Sequence, residues 1–209
     1  MRIALIHALR HSPAPIEAAF AAAWPSPQLM NLLDDSLSAD LARDGRLTEA
    51  MSQRFVTLAR YAVATDVAAI LFTCSAFGPC IDRVKQEFPG IPVLKPNEAM
   101  IEEAAALGRR IGLLATFAAT LRTMPAEFPA GFEVRPRLAE GALAALDAGD
   151  GAGHDRLAAE AAASLADCDA IALAQFSLAR ARDAVAARTG KPVLTTPDSA
   201  VRKLRGLLA

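Results

Sequence analysis

Two segments of the sequence, about a hundred residues apart, each contain an apolar run followed by a polar side chain, and the two side chains differ in chemistry. The first, AAILFTCSAFGP (residues 68–79), has Cys74 after the apolar run, and the second, DAIALAQFSLAR (169–180), has Gln175 there. A thiol can donate or accept a proton or attack a carbon atom. A carboxamide has no pKa near neutrality and can only form hydrogen bonds. The pair therefore predicts a site in which one thiol faces an amide.

The residues that follow these two side chains are expected to begin helices. Ser75 and Ala76 follow the cysteine, and Phe176 and Ser177 follow the glutamine. Backbone N–H groups at the start of a helix bind carboxylates and developing oxyanions. The same helix start is expected to lower the pKa of Cys74. These positions are therefore predicted to bind a small anionic substrate.

A histidine ends the first apolar run, RIALIH, and is a second catalytic candidate. In a doubly wound sheet this strand would end beside the strand that precedes Cys74, so His7 and Cys74 would be neighbours. A Cys–His pair can act as an activated nucleophile or as an acid–base couple. The alternative is that His7 and His11 only satisfy backbone groups of the loop.

The other two cysteines do not offer the same chemistry. Cys80 falls within the helix expected after Cys74 and is interpreted as a packing residue. Cys168 lies at the beginning of its strand, roughly 20 Å from the strand's end, so it cannot replace a thiol at Gln175. Three cysteines without a CxxC spacing argue against a disulfide framework and a structural zinc site.

Short apolar runs alternate with longer segments of helical period, which is typical of an α/β protein with parallel strands. The predicted strands are residues 2–7, 28–33, 67–73, 92–94, 110–115, 133–135, 170–174 and 192–194. The predicted loops are residues 12–15, 25–27, 125–131 and 149–153.

The second half of the chain repeats the first. The matching pairs, in the same order, are RIALIH with RIGLLA, AAILFTC with DAIALAQ, GIPVL with GKPVL, and PNEAM with PDSAV. We therefore predict two pseudo-symmetric, doubly wound α/β domains with parallel four-stranded sheets and an active site in the cleft between them. Their expected bounds are residues 1–96 and 97–196, with a helix at 197–209 returning to the first domain.

The composition indicates that the protein binds small molecules. The 209 residues are 53% apolar and 22% charged with a net charge of −1, and no run of like charges or basic patch favours nucleic acid or a membrane surface. The apolar run at the N-terminus is too short for a signal peptide or a membrane span, so a cytoplasmic location is expected. No GxGxxG or Walker pattern follows a strand and no His/Cys cluster is present, so neither a cofactor nor a metal is predicted.

Several of these motifs together resemble the aspartate/glutamate/hydantoin racemase superfamily. They are the turn LFTCSAFG, the segment LAQFS where that family usually has Gly-Cys-Thr, the segment IGLLAT (residues 111–116), and the two-half organisation. The resemblance implies cofactor-independent proton transfer next to a carboxylate by two cysteines on opposite faces of the substrate. It also implies isomerase or related lyase activity, since relatives include maleate isomerase and the one-cysteine arylmalonate decarboxylase, and it allows a homodimer.

Position by position, the resemblance assigns the first catalytic cysteine to Cys74 and a substrate-carboxylate contact to Thr116. Gln175 stands where the second cysteine belongs, which leaves three readings open. The protein is a one-thiol decarboxylase, isomerase or lyase; or a racemase whose second base is His7 or another group; or a binding protein for a small anion. The residues expected to contact substrate are Ser75, Ala76, Thr116, Gln175, Phe176 and Ser177.

Overall fold

The computed structural model describes residues 1–209 and contains two four-stranded parallel sheets. In the first sheet the strands lie in the order β2-β1-β3-β4. These strands are β1 (Arg2–His7), β2 (Gln28–Leu33), β3 (Ala69–Phe72) and β4 (Val93–Leu94). The helices between them are α1 (Pro13–Ala23), α2 (Ser36–Asp44), α3 (Glu49–Val63) and α4 (Gly78–Glu87).

The second sheet repeats this order as β6-β5-β7-β8. Its strands are β5 (Arg110–Ala115), β6 (Glu133–Leu138), β7 (Ala170–Leu173) and β8 (Val193–Thr195). The remaining helices are α5 (Glu98–Ala105), α6 (Ala118–Thr123), α7 (Ala142–Asp147), α8 (Gly151–Ala162), α9 (Arg182–Thr189) and α10 (Thr196–Leu208). The predicted fold class, two parallel four-stranded α/β units, is confirmed. None of the helices combines the length and apolar character needed to cross a membrane.

The central strands are apolar throughout because helices cover both faces of each sheet. Along β3, Ile70 and Phe72 pack into one hydrophobic cluster, while Ala69 and Leu71 pack into another on the opposite face. All four β3 residues and all four β7 residues are buried. The ends of β3 and β7, which carry the candidate site, are therefore fixed by packing from two sides.

Several predicted boundaries differ from the structure, and three of the differences have a clear physical reason. β6 continues to Leu138 because its pairing with β5 runs on to Ala115↔Leu138; Pro136 is tolerated there since β6 is an edge strand. Helix α1 begins at Pro13 inside the predicted loop, because proline is well suited to the first turn of a helix. Helix α8 begins at Gly151, inside the predicted loop at residues 149–153. The Asp150 side chain caps this helix by accepting a hydrogen bond from the Gly153 N–H at 2.8 Å.

The last helix packs against elements of the first sheet. Ala200, Val201 and Leu204 of α10 share a buried cluster with residues of β1, β3 and α1. Arg205 also donates a 3.0 Å hydrogen bond to the Ala23 carbonyl at the end of α1. The boundaries at residues 96 and 196 stay predictions.

Candidate functional site

Cys74 lies where the two halves of the chain meet. It lies two residues after the end of β3 and immediately precedes the 3₁₀ helix Ser75–Phe77, which leads into α4. Its half-buried side chain packs against a hydrophobic cluster of the first half. That cluster includes Ala119 and packs against Phe117, and both of these residues come from the second half. A polar contact joins the same two halves, because the hydroxyl groups of Ser75 and Thr120 lie 3.1 Å apart and form a buried hydrogen bond. The thiol therefore sits at the boundary between the two sheets.

The expectation that a helix start lowers the pKa of Cys74 is wrong. Burial raises the pKa of the thiol to about 11, and the polar groups near the sulfur, the backbone of Ala76 and the side chain of Ser38, only partly oppose this. The reason is that only a single 3₁₀ turn follows the cysteine directly. The peptide dipoles of this turn do not offset the loss of water around a thiolate. At neutral pH the thiol is protonated and ready to donate a proton.

Alkylation of Cys74 is expected to be slow at pH 8 and to accelerate about tenfold per pH unit between pH 8 and 10. A pKa of about 11 gives roughly a hundredfold less thiolate at pH 8 than the ordinary thiol value of 9.0. The measurement is iodoacetamide labelling at several pH values, read per cysteine by mass spectrometry, with urea-unfolded protein as the control. A labelling rate of Cys74 that stops rising above pH 9 would contradict the raised pKa.

Gln175 is held by the chain segment that follows β5. Its Oε1 accepts hydrogen bonds from the Thr116 N–H at 2.5 Å, the Thr116 hydroxyl at 3.0 Å and the Phe117 N–H at 3.2 Å. Three donors that converge on one oxygen form a site suited to a carboxylate oxygen. In this structure both donors of Thr116 are already used by the glutamine.

The two residues after Gln175 lie in the 3₁₀ helix Phe176–Ala181 and have different surroundings. Phe176 is 1% exposed and its side chain packs with Ile3 and Leu71 in the core of the first half, so the side chain is not available to a ligand. Ser177 is equally buried, and its hydroxyl has no hydrogen-bond partner.

His7 and Cys74 do not form the expected pair, because both ring nitrogens of the histidine have other partners. Nδ1 lies 2.7 Å from the Thr73 hydroxyl and Nε2 lies 2.9 Å from Oδ1 of Asn31. The Asn31 amide group donates in turn to Glu17 at 2.6 Å, which leaves Oδ1 facing the histidine as an acceptor. Burial lowers the pKa of His7, so the ring is neutral and carries its hydrogen on Nε2. His7 therefore acts on Thr73, the residue before the cysteine.

The other cysteines lie in the core. Cys80 is buried in α4, where its sulfur accepts a 3.3 Å hydrogen bond from the Ser52 hydroxyl. Cys168 is buried in the cluster between α8 and β7. The interpretation of Cys80 as a packing residue agrees with its buried position. No group of three or more His, Cys, Asp or Glu side chains is arranged to hold a metal ion.

Two cavities of about 630 Å³ lie between the halves, and neither is lined by Cys74, Thr116 or Gln175. The first cavity is bounded by the loop after β1, by α1, and by residues that follow Gln175, including Ser177. The second cavity is bounded by the start of α4 and by the segment after α6, and its wall is strongly charged. Glu127 in its wall has a pKa raised to about 7, because burial outweighs the attraction of Lys95.

Replacing Glu127 with glutamine is expected to stabilise the protein at pH 8 and to have little effect at pH 4. The folded-state pKa of about 7 lies above the ordinary 4.5, so the stability contributed by the neutral carboxyl is present below pH 4.5 and is lost as the pH rises through 7. The melting temperature of Glu127→Gln should exceed that of the wild type by a few degrees at pH 8. The exposed Glu140→Gln is the control, and an equal shift at both pH values would contradict the raised pKa.

The sequence interpretation missed several residues that complete the site. Ser38 reaches Cys74 from α2 and donates a 2.5 Å hydrogen bond to the Ala8 carbonyl, which ties α2 to the loop after β1. Thr120 contacts Ser75, and Asn31 fixes the tautomer of His7. The hydroxyl of Thr120, four residues after Thr116, was visible in the motif ATFAAT; no local pattern identified Ser38 or Asn31.

Solved structures that share this fold include two kinds of racemase and a decarboxylase. The glutamate racemase of Francisella tularensis, solved with D-glutamate, superposes with a TM-score of 0.77 at 17% identity, covering 99% of this chain and 80% of its own. The allantoin racemase of Pseudomonas fluorescens gives 0.74 at 19% identity over 100% and 91% of the two chains. A glycine-to-cysteine mutant of arylmalonate decarboxylase in a sulfate-associated form gives 0.67 at 20% identity over 100% and 95%.

Sequence comparison extends the likeness beyond the fold. No curated protein sequence matches the chain. The family model described as Asp/Glu/Hydantoin racemase matches residues 4–204, almost the whole of the 209-residue chain. The expectation of a racemase-type enzyme is thus confirmed at the level of the family. This chain belongs to the Asp/Glu/hydantoin racemase family.

Proposed function

We propose that the protein catalyses cofactor-independent proton transfer at the α-carbon of a small carboxylate or hydantoin-like substrate, with Cys74 as its one catalytic thiol. The observation that carries the proposal is the site's asymmetry. A thiol lies at the boundary between the halves, and Gln175, which cannot titrate, is held on the other side by Thr116 and Phe117.

In this proposal the convergent donors of Thr116 and Phe117 bind one oxygen of the substrate carboxylate. The Gln175 amide oxygen now occupies that position, with contacts of 2.5, 3.0 and 3.2 Å, and turns aside when the substrate binds. The same donors would stabilise the enediolate that forms when the α-carbon loses a substituent, because negative charge then gathers on the carboxylate oxygens. Ser75 and Ala76 bind from the opposite side, and Ser177 is the further polar contact.

His7 is proposed as a positioning residue and not as a second base. Its neutral ring holds the Thr73 hydroxyl at 2.7 Å and thereby fixes the backbone that carries Cys74. A second base, if the substrate is racemised, must come from a group other than the two ring nitrogens of His7, since both are hydrogen-bonded.

One observation favours a lyase as the second candidate function. A thiol with a pKa of about 11 is a poor base at neutral pH but is fully loaded with the proton that an enediolate needs. Loss of CO2 from an α-substituted malonate produces such an enediolate without any base, and transfer of the thiol proton to the α-carbon completes the reaction. Proton uptake from water then restores the thiol.

The test is incubation of the wild-type protein in D2O with amino acids, hydantoins and α-substituted malonates. Deuterium at the α-carbon, chirality and CO2 release are followed together. Deuterium uptake with chirality retained, or CO2 release, would support a one-thiol enzyme. Loss of chirality would identify a second base and make the protein a racemase. Binding of these compounds without any turnover would favour the remaining reading, a small-anion binding protein.

A further inference from the structure

We propose that the first cavity is a binding site for a small anion that carries an apolar body. The cavity has a volume of about 630 Å³, lies between the two halves and lacks Cys74 and Gln175 in its wall. The proposal shares Ser177 with the contacts proposed for the substrate, but it concerns binding alone and does not depend on the reaction proposed above. Three features of the wall determine the class of ligand.

The first feature is an apolar wall formed by small side chains. Ala14, Ala18 and Ala22 follow one another at four-residue intervals, so they form a stripe along the cavity side of α1, and all three are exposed. Methyl groups on a helix leave a flat surface on which an aliphatic chain or an aromatic ring can lie. Burial of that surface would favour a ligand with an apolar body.

The second feature is an excess of positive charge. The charged side chains of the wall are Arg10, Arg180, Arg182, Asp183 and Asp198, so arginines outnumber carboxylates even when His11 is neutral. Asp198 is already engaged, with a 3.2 Å contact to Arg182 and a 2.7 Å hydrogen bond from the Thr195 hydroxyl. The wall therefore favours an anionic head group.

Two of the arginines keep donors available for that head group. Arg10 is mostly exposed, and its nearest carboxylate, Asp35, is 3.9 Å away, which is too long for a hydrogen bond. Arg180 uses Nε and one terminal nitrogen on Asp155, at 2.8 and 3.2 Å, and its other terminal nitrogen has no hydrogen-bond partner. A sulfonate or carboxylate could thus be bound without breaking an existing ion pair.

The third feature is an unsatisfied hydroxyl. Ser177 lines the cavity and is 1% exposed, and its Oγ has no hydrogen-bond partner in the protein. A buried polar group without a partner is costly, and such groups normally bind a ligand or an ordered water. Ser177 and the arginines therefore give the cavity polar contacts in addition to its alanine stripe.

The test uses 1-anilinonaphthalene-8-sulfonate, an aromatic anion whose fluorescence rises in apolar sites, titrated against the full-length protein. We expect saturable binding of one equivalent to the wild type. Ala18→Phe fills the cavity and should weaken binding at least tenfold. Ala21→Phe is the matched control, because Ala21 is an exposed alanine on the same helix that does not line the cavity. Unchanged binding to Ala18→Phe, or equal loss in Ala21→Phe, would overturn the proposal.

A second comparison tests the charge. Arg10→Gln should weaken binding of the sulfonate probe at least threefold while leaving its neutral analogue, N-phenyl-1-naphthylamine, unaffected. Equal losses for the two probes would show that charge does not contribute and would overturn the anionic part of the proposal. Circular dichroism and melting temperature confirm that each variant is folded.

The same variants distinguish two sources of the ligand. If the cavity holds a distal part of the substrate, Ala18→Phe will raise KM for the compound turned over in the D2O assay and leave kcat within twofold. If KM is unchanged while the sulfonate probe no longer binds, the cavity is a separate effector site. The probe titrations decide whether the site exists even when no compound is turned over, so failure of the proposed reaction would not be mistaken for failure of this site.

Discussion

Cys74→Ala is expected to lower the rate of α-carbon deuterium exchange by a factor of about 10² to 10⁴, the usual contribution of a positioned acid or base. The reason is that neither of the two side chains expected beside the thiol, Gln175 and His7, can replace it. Gln175 cannot exchange a proton near neutral pH, and both nitrogens of His7 are engaged by Thr73 and Asn31. The rate is measured by NMR or mass spectrometry on whichever compound the wild type exchanges.

The control for this prediction is Cys168→Ala. Cys168 is a buried thiol in the cluster between α8 and β7, whereas Cys74 is half-buried at the boundary between the halves. Its replacement should cost about 1 kcal/mol of stability and leave the exchange rate within twofold. Exchange by Cys74→Ala within tenfold of the wild type would show that another group moves the proton, and the proposed role of Cys74 would be abandoned.

Gln175→Ala is expected to destabilise the protein by about 2–4 kcal/mol, because it leaves two buried backbone N–H groups and one hydroxyl without their acceptor. The donors concerned are the N–H and hydroxyl of Thr116 and the N–H of Phe117. Gln175→Glu should cost less than about 1 kcal/mol, since a carboxylate oxygen can accept the same three hydrogen bonds. Urea unfolding of the two variants and the wild type measures the difference.

A small carboxylate is expected to restore part of the stability that Gln175→Ala loses. Acetate can place an oxygen where the amide oxygen was, so the melting temperature of this variant should rise with sodium acetate more steeply than with sodium chloride. The wild type and Gln175→Glu should respond to the two salts alike, because an oxygen of residue 175 already fills the site and acetate lacks the further contacts through which the substrate would displace it. Equal slopes for all three proteins would mean that the Thr116–Phe117 segment does not bind carboxylates, which would remove a central part of the proposed function.

The sequence by itself determined the architecture. All eight strands were predicted, and the repeat of RIALIH in RIGLLA and of GIPVL in GKPVL predicted the second sheet as a copy of the first. This succeeds because burial of a parallel sheet on both faces leaves a continuous apolar run in the sequence. The sequence also placed Cys74 and Gln175 at the ends of β3 and β7, where the structure has each of them two residues beyond the strand, because a strand's end is a local feature of the pattern.

Only the tertiary structure decided the chemical state of these side chains. The pKa of Cys74 depends on burial by segments distant in sequence, and burial raised the value that the local motif was expected to lower. Gln175 contacts Thr116 and His7 contacts Thr73, pairs that are 59 and 66 residues apart. Desolvation and hydrogen-bond partners are set by which segments pack together, and a linear pattern of residue types does not record them.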